Sequence, residues 1–327
     1  MKINIKRPRR NRQSAAIRGL VQETFVHPSQ LIVPFFLLEG ENQKVAISSM
    51  PGIFRYSLDE AILEAKSCAA IGLVNFILFP VVDEKHKDKH ATYSYHPDCF
   101  YLKAISTFKK ELPNCTVITD VAMDPYSTDG HDGLYENGKI VNDQTLPILA
   151  KMTLAQAKAG ADIIGPSDMM DGRIGFLRNA LDENGFHQVA IMSYTAKYAS
   201  CFYGPFRDAL DSAPKEGNKL TYQMSPTNQR EALLEAQLDE QEGADYLMVK
   251  PALAYLDVIS LLKNNSNLPI VAYNVSGEYA MIKAAAEKGW LDETASMNEM
   301  LTSIKRAGAD IIITYFAKQF VETNLKG

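Results

Sequence analysis

Short apolar runs alternate with segments of helical periodicity along the chain from Leu31 onward. Eight runs are candidate strands, at residues 31–36, 76–80, 117–122, 163–165, 189–193, 246–250, 270–273 and 311–315. Continuous β-branched and aromatic runs between helices are typical of parallel strands covered on both faces. Eight such runs fit a closed cylinder, so the pattern predicts an α/β fold of the (β/α)8 TIM barrel type. A doubly wound open sheet is the alternative.

The tripeptide Gly-Ala-Asp stands before three of these strands, at residues 160–162, 243–245 and 308–310. A glycine there can take the left-handed conformation that ends a helix, after which the chain enters the next strand. We therefore interpret the three tripeptides as αβ turns. Their unequal spacing favours a barrel with insertions over a uniform solenoid.

The first 30 residues show no strand-like alternation and carry a basic cluster, at Lys6, Arg7, Arg9, Arg10, Arg12 and Arg18. We predict an extended N-terminal arm over residues 1–30 and one barrel domain over residues 31–327. Such an arm is a solvated tail, an anion-binding segment, or a segment that packs on a neighbouring subunit.

The amino-acid composition and net charge argue against some classes of binding partner. The 327 residues are 46% apolar and 22% charged, and 39 acidic against 34 basic residues give a net charge of −5. This balance gives no bulk attraction to nucleic acid or to anionic lipid, so small molecules or copies of the chain are the expected partners. The four cysteines are widely spaced, and no apolar run reaches the ~18 residues of a membrane span. A cytoplasmic protein is expected.

Polar, titratable side chains follow the predicted strands where a barrel places its reactive groups, at the carboxyl ends. They are Asp120, Asp124, Asp129, His131 and Asp132 after the third strand, Ser167, Asp168 and Asp171 after the fourth, Lys197 after the fifth, Lys250 at the end of the sixth, Tyr273 and Ser276 after the seventh, and Tyr315 at the eighth. We expect them to converge on one mouth.

Lys250 is the sharpest of these signals, because it closes a buried run and is followed directly by Pro251. A lysine at that point is either an ion-paired strand end or a functional amine. Lys197 follows the neighbouring strand, and two desolvated ammonium groups side by side lower the pKa of at least one of them. The neutral amine that results is the nucleophile that forms an imine with a carbonyl.

The segment between Tyr198 and Gln223 is long and is interrupted by glycine and proline. Long βα loops of this kind tend to be functional, so we predict a lid in which Arg207 and Lys219 close on a carboxylate. An ordinary solvated loop is the alternative.

Several segments resemble the porphobilinogen synthase (5-aminolevulinate dehydratase) family. The main one, residues 243–255, reads Gly-Ala-Asp-Tyr-Leu-Met-Val-Lys-Pro-Ala-Leu-Ala-Tyr and is similar to that family's Schiff-base lysine signature. Four further segments, 165–172, 193–197, 202–209 and 273–279, match in order. The resemblance covers nearly the whole chain.

This resemblance implies a condensation of two 5-aminolevulinate molecules to porphobilinogen with loss of two waters, a lyase reaction of heme biosynthesis. Lys250 would form the Schiff base with the substrate that becomes the propionate side of the product, and Lys197 would hold the second. Substrate binding would involve Ser276 and Tyr315 for the first carboxylate, Arg207 and Lys219 for the second, Asp120 and Ser167 in the amino-group pocket, and also Phe202, Tyr203, Gln223 and Tyr273. It further implies a homo-octamer in which the arm wraps a neighbour.

The resemblance also bears on metals. Zinc-dependent relatives carry three cysteines where this chain has Ala122, Asp124 and Asp132, so the chain resembles the aspartate-type, non-zinc branch, and no organic cofactor is implied. Asp124 and Asp132 are either oxygen ligands of a hard metal or turn residues. Glu235 would bind an activating, allosteric Mg²⁺ between subunits, whereas by itself it reads as a solvated carboxylate on a helix that Asn228 caps.

Two other functions compete with this interpretation. A class I aldolase also places a Schiff-base lysine on a barrel strand, but it needs one such lysine and commonly uses phosphate-binding glycine loops. A non-catalytic barrel that serves as a binding or scaffold protein is the other alternative. The pair of lysines and the long loop argue against both.

Overall fold

The chain forms a closed eight-stranded parallel barrel in the computed structural model, which describes residues 5–210 and 215–324. Each strand pairs with the next, and the last pairs with the first through Leu31 and Ile312, which closes the cylinder. The predicted (β/α)8 barrel is confirmed. The barrel strands are β1 (Leu31–Leu38), β2 (Asn75–Val81), β3 (Thr116–Val121), β4 (Ile163–Pro166), β5 (Ala190–Lys197), β6 (Tyr246–Lys250), β7 (Ile270–Asn274) and β8 (Ile311–Thr314).

Helices pack around the outside of this barrel and bury its outer apolar face. They are α2 (Leu58–Ala69), α3 (Phe100–Glu111), α4 (Asn142–Ala159), α5 (Arg173–Glu183), α7 (Arg230–Gln241), α8 (Leu256–Asn265), α9 (Ser276–Glu287), α10 (Glu293–Ala307) and α11 (Ala317–Asn324). Two further helices are α1 (Ala15–Leu20), which lies in the arm and buries no residue, and α6 (Gly204–Leu210), which lies near the mouth. Short 3₁₀ turns lie at Pro8–Arg12, Pro28–Gln30, Glu84–His86, Thr92–Tyr95, Cys201–Tyr203 and Leu253–Tyr255. Two small hairpins add the strands Lys44–Ala46 with Phe54–Tyr56, and Tyr135–Glu136 with Lys139–Ile140.

The three Gly-Ala-Asp tripeptides are αβ turns, as predicted. Their glycines have φ of 106°, 100° and 121°, a region that other residues rarely adopt. Each aspartate also ties two strands together, because its carboxylate accepts a hydrogen bond from a backbone N–H at the start of the preceding strand. These bonds join Asp162 to Val117 (2.8 Å), Asp245 to Ile191 (2.7 Å) and Asp310 to Ile270 (2.9 Å). The tripeptide therefore fixes the register of three strand pairs.

Helix α7 begins later than the sequence suggested. The prediction that Asn228 caps it is wrong, since the helix starts at Arg230 and Gln229 is the capping residue. The Asn228 side chain instead donates to the carboxylate of Glu231 at 3.0 Å, and the Gln229 side chain makes no capping hydrogen bond.

The described part of the arm, residues 5–30, consists of a 3₁₀ turn, α1 and a second 3₁₀ turn. Most of its side chains are exposed, including the apolar Ile5, Leu20, Val21 and Phe25. Residues 1–4 of the predicted arm, and residues 325–327 of the predicted barrel domain, lie outside the described residues. Among the residues that are described, no helix is both long and apolar enough to span a bilayer.

Candidate active site

The two lysines lie side by side at the carboxyl end of the barrel. Lys197 ends β5, Lys250 ends β6, and the two residues face each other in the strand pairing. Only 6% of Lys197 and 5% of Lys250 is exposed. The sequence predicted that both amines enter one cavity, and the cavity they line, with an empty volume of about 310 Å³, has Tyr203, Arg207 and Lys219 in the same wall.

An extra residue in β5 turns Lys197 inward. Leu247 pairs with Ser193, whereas Val249 pairs with Ala196, so three steps of β5 face two steps of β6. Strand side chains alternate between faces, and a bulge of one residue shifts that alternation. Ser193 points to the surrounding helices, so without the bulge Lys197 would point outward as well. Lys197 instead lies within 5.9 Å of the Tyr194 ring inside the barrel.

Aromatic rings surround the Lys250 amine. Its Nζ lies 4.5 Å from the ring centre of Tyr273, 4.7 Å from Phe206, 5.1 Å from Tyr203 and 5.2 Å from Tyr194. Burial, followed by the charge of neighbouring Lys197, lowers the pKa of Lys250 to about 7. A large fraction of this amine is therefore neutral near pH 7, as the sequence predicted for one lysine of the pair.

The Lys197 amine has polar partners instead. Its Nζ lies 2.9 Å from a carboxylate oxygen of Asp132 and donates to the backbone carbonyl of Ser167. The second oxygen of Asp132 contacts Lys219 at 2.5 Å, and Lys219 also reaches Asp124 at 3.2 Å. Burial alone would raise the pKa of Asp132, but the charges of Lys197 and Lys219 outweigh it and hold this pKa well below its usual range. The carboxylate thus stays ionised between two cations.

Asp120 lies at the end of β3 in the same cavity region and is buried. Burial, and then the nearby charge of Asp124, raises the pKa of Asp120 to about 7. A carboxyl group with a pKa near the working pH can both release and accept a proton. Asp120 is therefore equipped for acid–base work beside the two amines.

The predicted lid covers the mouth. It contains the 3₁₀ turn Cys201–Tyr203, α6 and the stretch 215–223, while residues 211–214 lie outside the described part. Phe206 donates its backbone N–H to Ser276 at 2.9 Å, and Ser276 donates its hydroxyl to the carbonyl of Phe202 at 3.4 Å. A Cβ on Gly277 would lie 2.5 Å from that same carbonyl oxygen, so only glycine permits this close approach. The lid is thereby fastened to α9.

The remaining predicted substrate-binding residues lie in two groups. The hydroxyls of Tyr273 and Tyr315 lie 3.1 Å apart, and Ser276 begins α9 directly after β7, which carries Tyr273. Gln223 lines the cavity and lies 3.5 Å from Asp132. Arg207 lines the cavity and makes no ion pair with any residue in 5–210 or 215–324. This cation is therefore available to an incoming anion.

Asp124 and Asp132, the predicted oxygen ligands, contact ammonium groups in this structure, as described above. Nowhere in the described ranges do three His, Cys, Asp or Glu side chains form a group suited to a metal ion. Ala122 is buried and offers no ligand. A metal at Asp124 and Asp132 stays a prediction.

Glu235 lies on α7 and lines a polar cleft outside the mouth with Asp171, Glu231 and Asn142. It is half-buried, so it is less solvated than its position on a helix face suggested. Burial raises its pKa to about 7, and the charges of Asp239, Asp171 and Glu231 add to this effect against the opposing Arg173. Hard oxygen donors at one or two carboxylates, completed by water, suit Mg²⁺, so the residues fit this ion.

The sequence analysis missed three residues that shape this site, which are Tyr194, Arg173 and Glu278. Tyr194 lies beneath both amines, and its buried hydroxyl has no partner among the described residues. Glu278 accepts hydrogen bonds from the backbone N–H groups of Leu253 (2.7 Å) and Val275 (2.9 Å), which ties the loop after Lys250 to α9. A glutamate in the first turn of a helix can be recognised in the sequence, so Glu278 could have been found. The positions of Tyr194 and Arg173 relative to the lysines depend on the β5 bulge, which the sequence does not reveal.

A closed barrel whose mouth holds two buried amines, one of them with a pKa of about 7, beneath a lid that carries Arg207 and Lys219 has the arrangement of a barrel enzyme's active site. Residues 5–323 match the family model described as Delta-aminolevulinic acid dehydratase. The chain belongs to this family, and the resemblance read from its motifs is confirmed.

Individual relatives agree with this assignment. The chain is 54% identical to a chloroplastic delta-aminolevulinic acid dehydratase of Oryza sativa subsp. japonica, over 96% of this chain and 74% of the relative. It is 50% identical to the Chlamydia pneumoniae delta-aminolevulinic acid dehydratase, over 97% and 96%. A Toxoplasma gondii ME49 crystal structure of the same enzyme with its product porphobilinogen superposes with a TM-score of 0.96 at 50% identity, over 98% of this chain and 92% of that one.

Proposed function

We propose that the chain condenses two molecules of 5-aminolevulinate to porphobilinogen and two waters, through imines on Lys250 and Lys197. The observation that carries the mechanism is the adjacent placement of two buried amines with different surroundings. A class I aldolase needs only one such amine. Family membership and the product-bound structural relative support the overall reaction.

The surroundings assign different tasks to the amines. Lys250, with its pKa of about 7 and its aromatic neighbours, attacks the ketone of the first substrate as a neutral nucleophile. Lys197 is held between Asp132 and the Ser167 carbonyl, which fixes its position and supplies a partner for its positive charge. It would bind the ketone of the second substrate.

The condensation then needs two bonds between the substrates. Loss of a proton from the carbon beside one imine gives an enamine, which forms the carbon–carbon bond. The enamine attacks the imine carbon of the other substrate, and the lysine on that carbon leaves as a free amine with the loss of a proton from the new bond. The amino group of that substrate then attacks the remaining imine carbon and displaces its lysine, which forms a ring imine, and a last deprotonation gives the pyrrole. The two waters are those released when the two lysine imines formed. Asp120, with a pKa of about 7 next to the amino-group pocket that Ser167 would share, is the group we assign to these proton transfers.

Charge and hydrogen-bond donors support a separate binding site for each of the two carboxylates. Ser276 and Tyr315, with Tyr273 bonded to Tyr315, would bind the carboxylate of the substrate on Lys250. Arg207, which makes no ion pair with any residue in 5–210 or 215–324, and Lys219 would bind the other. Phe202, Tyr203 and Gln223 complete the walls, and the closed lid excludes water from the imines.

For metals, we propose that Mg²⁺ binds at Glu235 and acts as an allosteric activator. The cleft at Glu235 brings carboxylates together at a cost that a divalent cation would relieve, and the site lies outside the mouth, so no chemical step passes through it. Because Ala122, Asp124 and Asp132 supply no thiolate, we also propose that the chain is of the non-zinc type and needs no zinc in the active site.

The arm supports a proposal about assembly. Its exposed apolar residues, Leu20 and Phe25 among them, are poorly satisfied by water and suit a contact with another copy. We propose that the arm over residues 1–30 packs on a neighbouring subunit in a homo-octamer. We also propose a cytoplasmic location, although the rice relative is chloroplastic.

Trapping tests the proposed chemistry, because borohydride reduces a protonated imine to a stable amine. After incubation with 5-aminolevulinate and borohydride, peptide mapping should find substrate on Lys250, and Lys250→Ala should abolish turnover. Lys197→Ala should also stop product formation while one substrate is still trapped on Lys250. Label on neither lysine would refute the mechanism.

A further inference from the structure

A buried ionic cluster lies directly behind the bulge of β5. It consists of Arg173 at the start of α5, Asp239 on α7 and Ser193 on β5, and we refer to it as the Arg173 cluster. Arg173 is 2% exposed and contacts Asp239 at 3.0 Å and the Ser193 hydroxyl at 3.0 Å. Ser193 in turn donates to the second oxygen of Asp239 at 2.5 Å. All three side chains point away from the substrate cavity.

The guanidinium reaches the backbone of β5 and the carboxylate of Asp168 in the loop after β4. One nitrogen lies 3.5 Å from the carbonyl of Tyr194, at the bulge itself. Another lies 4.0 Å from Asp168, the residue after Ser167, whose carbonyl accepts a hydrogen bond from the Lys197 amine. Arg173 therefore joins the strand that carries Lys197 to the loop that holds its amine.

Stability alone does not explain such a cluster. Removing two charges from water costs several kcal/mol, and apolar residues of similar volume are often as stabilising as a buried ion pair. The planar, forked guanidinium can instead fix the relative positions of several partners, because its donors point in set directions. Here those partners include Ser193 and Tyr194 of β5, at the bulge that sets where Lys197 points.

We propose that Arg173 is a positioning residue for Lys197: through the Arg173 cluster it holds the β5 bulge in the form that turns this amine into the barrel. The inference rests on the proposed function, in which Lys197 binds the second substrate. Lys250 lies on β6, and the Arg173 guanidinium donates to Asp239, Ser193 and Tyr194 rather than to that strand, so the Lys250 imine should form independently of Arg173.

Two variants test this. Arg173→Lys keeps the charge and loses the fork. Ser193→Ala keeps the ion pair and removes the side-chain contact of Arg173 with β5, leaving only the 3.5 Å contact with the Tyr194 carbonyl, so the second variant serves if the first folds poorly. The matched control is Arg178→Lys. Arg178 also lies on α5 and donates to a β5-side carbonyl, that of Val189, at 2.8 Å, but it does not touch the bulge.

The readout is the rate of borohydride trapping of 5-aminolevulinate at each lysine, followed by peptide mapping, together with kcat, KM and urea unfolding. A misplacement of about 1 Å can cost on the order of 10²-fold in rate, so trapping at Lys197 and kcat should fall by up to that factor in Arg173→Lys and by about tenfold in Ser193→Ala. Trapping at Lys250 and KM should stay close to the wild-type values. Arg178→Lys should resemble wild type at both lysines.

Two results would overturn the inference. One is trapping at Lys197 as fast as in wild type in both variants. The other is an equal loss at both lysines that follows the loss of folding stability, which is what a purely structural role gives. Wild-type enzyme that traps at neither lysine would instead refute the proposed function, and this inference with it, so the two failures can be told apart.

Discussion

The pKa of Lys250 gives a prediction that can be worked through in numbers. At pH 7 an amine with a pKa of about 7 is roughly half neutral, whereas one with the ordinary value of 10.5 is neutral in only about 3 of 10⁴ molecules. The structure therefore supplies an advantage on the order of 10³-fold in reactive amine. Since the second cause of the shift is the charge of Lys197, Lys197→Met should raise the pKa of Lys250. The pKa should stay below 10.5, because burial is the larger cause.

The assay measures reductive trapping of levulinic acid, a keto acid without the amino group that condensation needs, on Lys250 between pH 5 and 10. Wild-type trapping should have its midpoint near pH 7, and Lys197→Met should move the midpoint to higher pH. The lowered pKa of Lys250 also makes the free energy of unfolding depend on pH. Between pH about 7 and 10.5 the unfolded chain binds a proton at Lys250 that the folded chain does not, so the contribution of Lys250 to the free energy of unfolding rises with pH. A wild-type midpoint above about pH 9.5, or a downward shift in the variant, would refute the reasoning.

Three further predictions concern other parts of the molecule. Arg207→Ala should raise KM by a factor worth about 1.5–3 kcal/mol, with a smaller effect on kcat, in steady-state assays; an unchanged KM would make Arg207 an ordinary surface charge. Enzyme dialysed against EDTA should be stimulated by Mg²⁺, and Glu235→Ala should lose this stimulation while keeping basal turnover; recovery by zinc alone would contradict the non-zinc type. Glu278→Gln should lower the free energy of unfolding by about 1–3 kcal/mol in urea titrations, because an amide group would then face backbone donors at Leu253 and Val275; equal stability would show that these bonds contribute little.

Periodicity predicted the fold well because it is a local signal. Apolar runs and the Gly-Ala-Asp turns located all eight barrel strands, and the rule that reactive groups follow parallel strands brought the lysines and Asp120 to one mouth. The start of α7 was misplaced by one residue because Asn228 binds Glu231 rather than the helix backbone. Such a choice between nearby partners depends on tertiary contacts.

The finer geometry of the site could not be predicted in the same way. Strict alternation along β5 would have placed Lys197 on the outer face, and the extra residue that reverses this is visible only in the pairing with β6. The roles of Tyr194 and Arg173 depend on that bulge. Glu235 looked solvated in the sequence because its burial comes from other elements that line the cleft, including Asp171 after β4.

The central claim is that the chain joins two 5-aminolevulinate molecules by means of two lysine imines. The most direct test incubates the purified chain with 5-aminolevulinate and Mg²⁺ and quantifies the pyrrole with a colour reagent, alongside Lys250→Ala and Lys197→Ala. The account predicts one porphobilinogen for every two substrate molecules consumed by the wild type and none from either variant. Pyrrole formation at the wild-type rate by either variant, or none by the folded wild type, would contradict it.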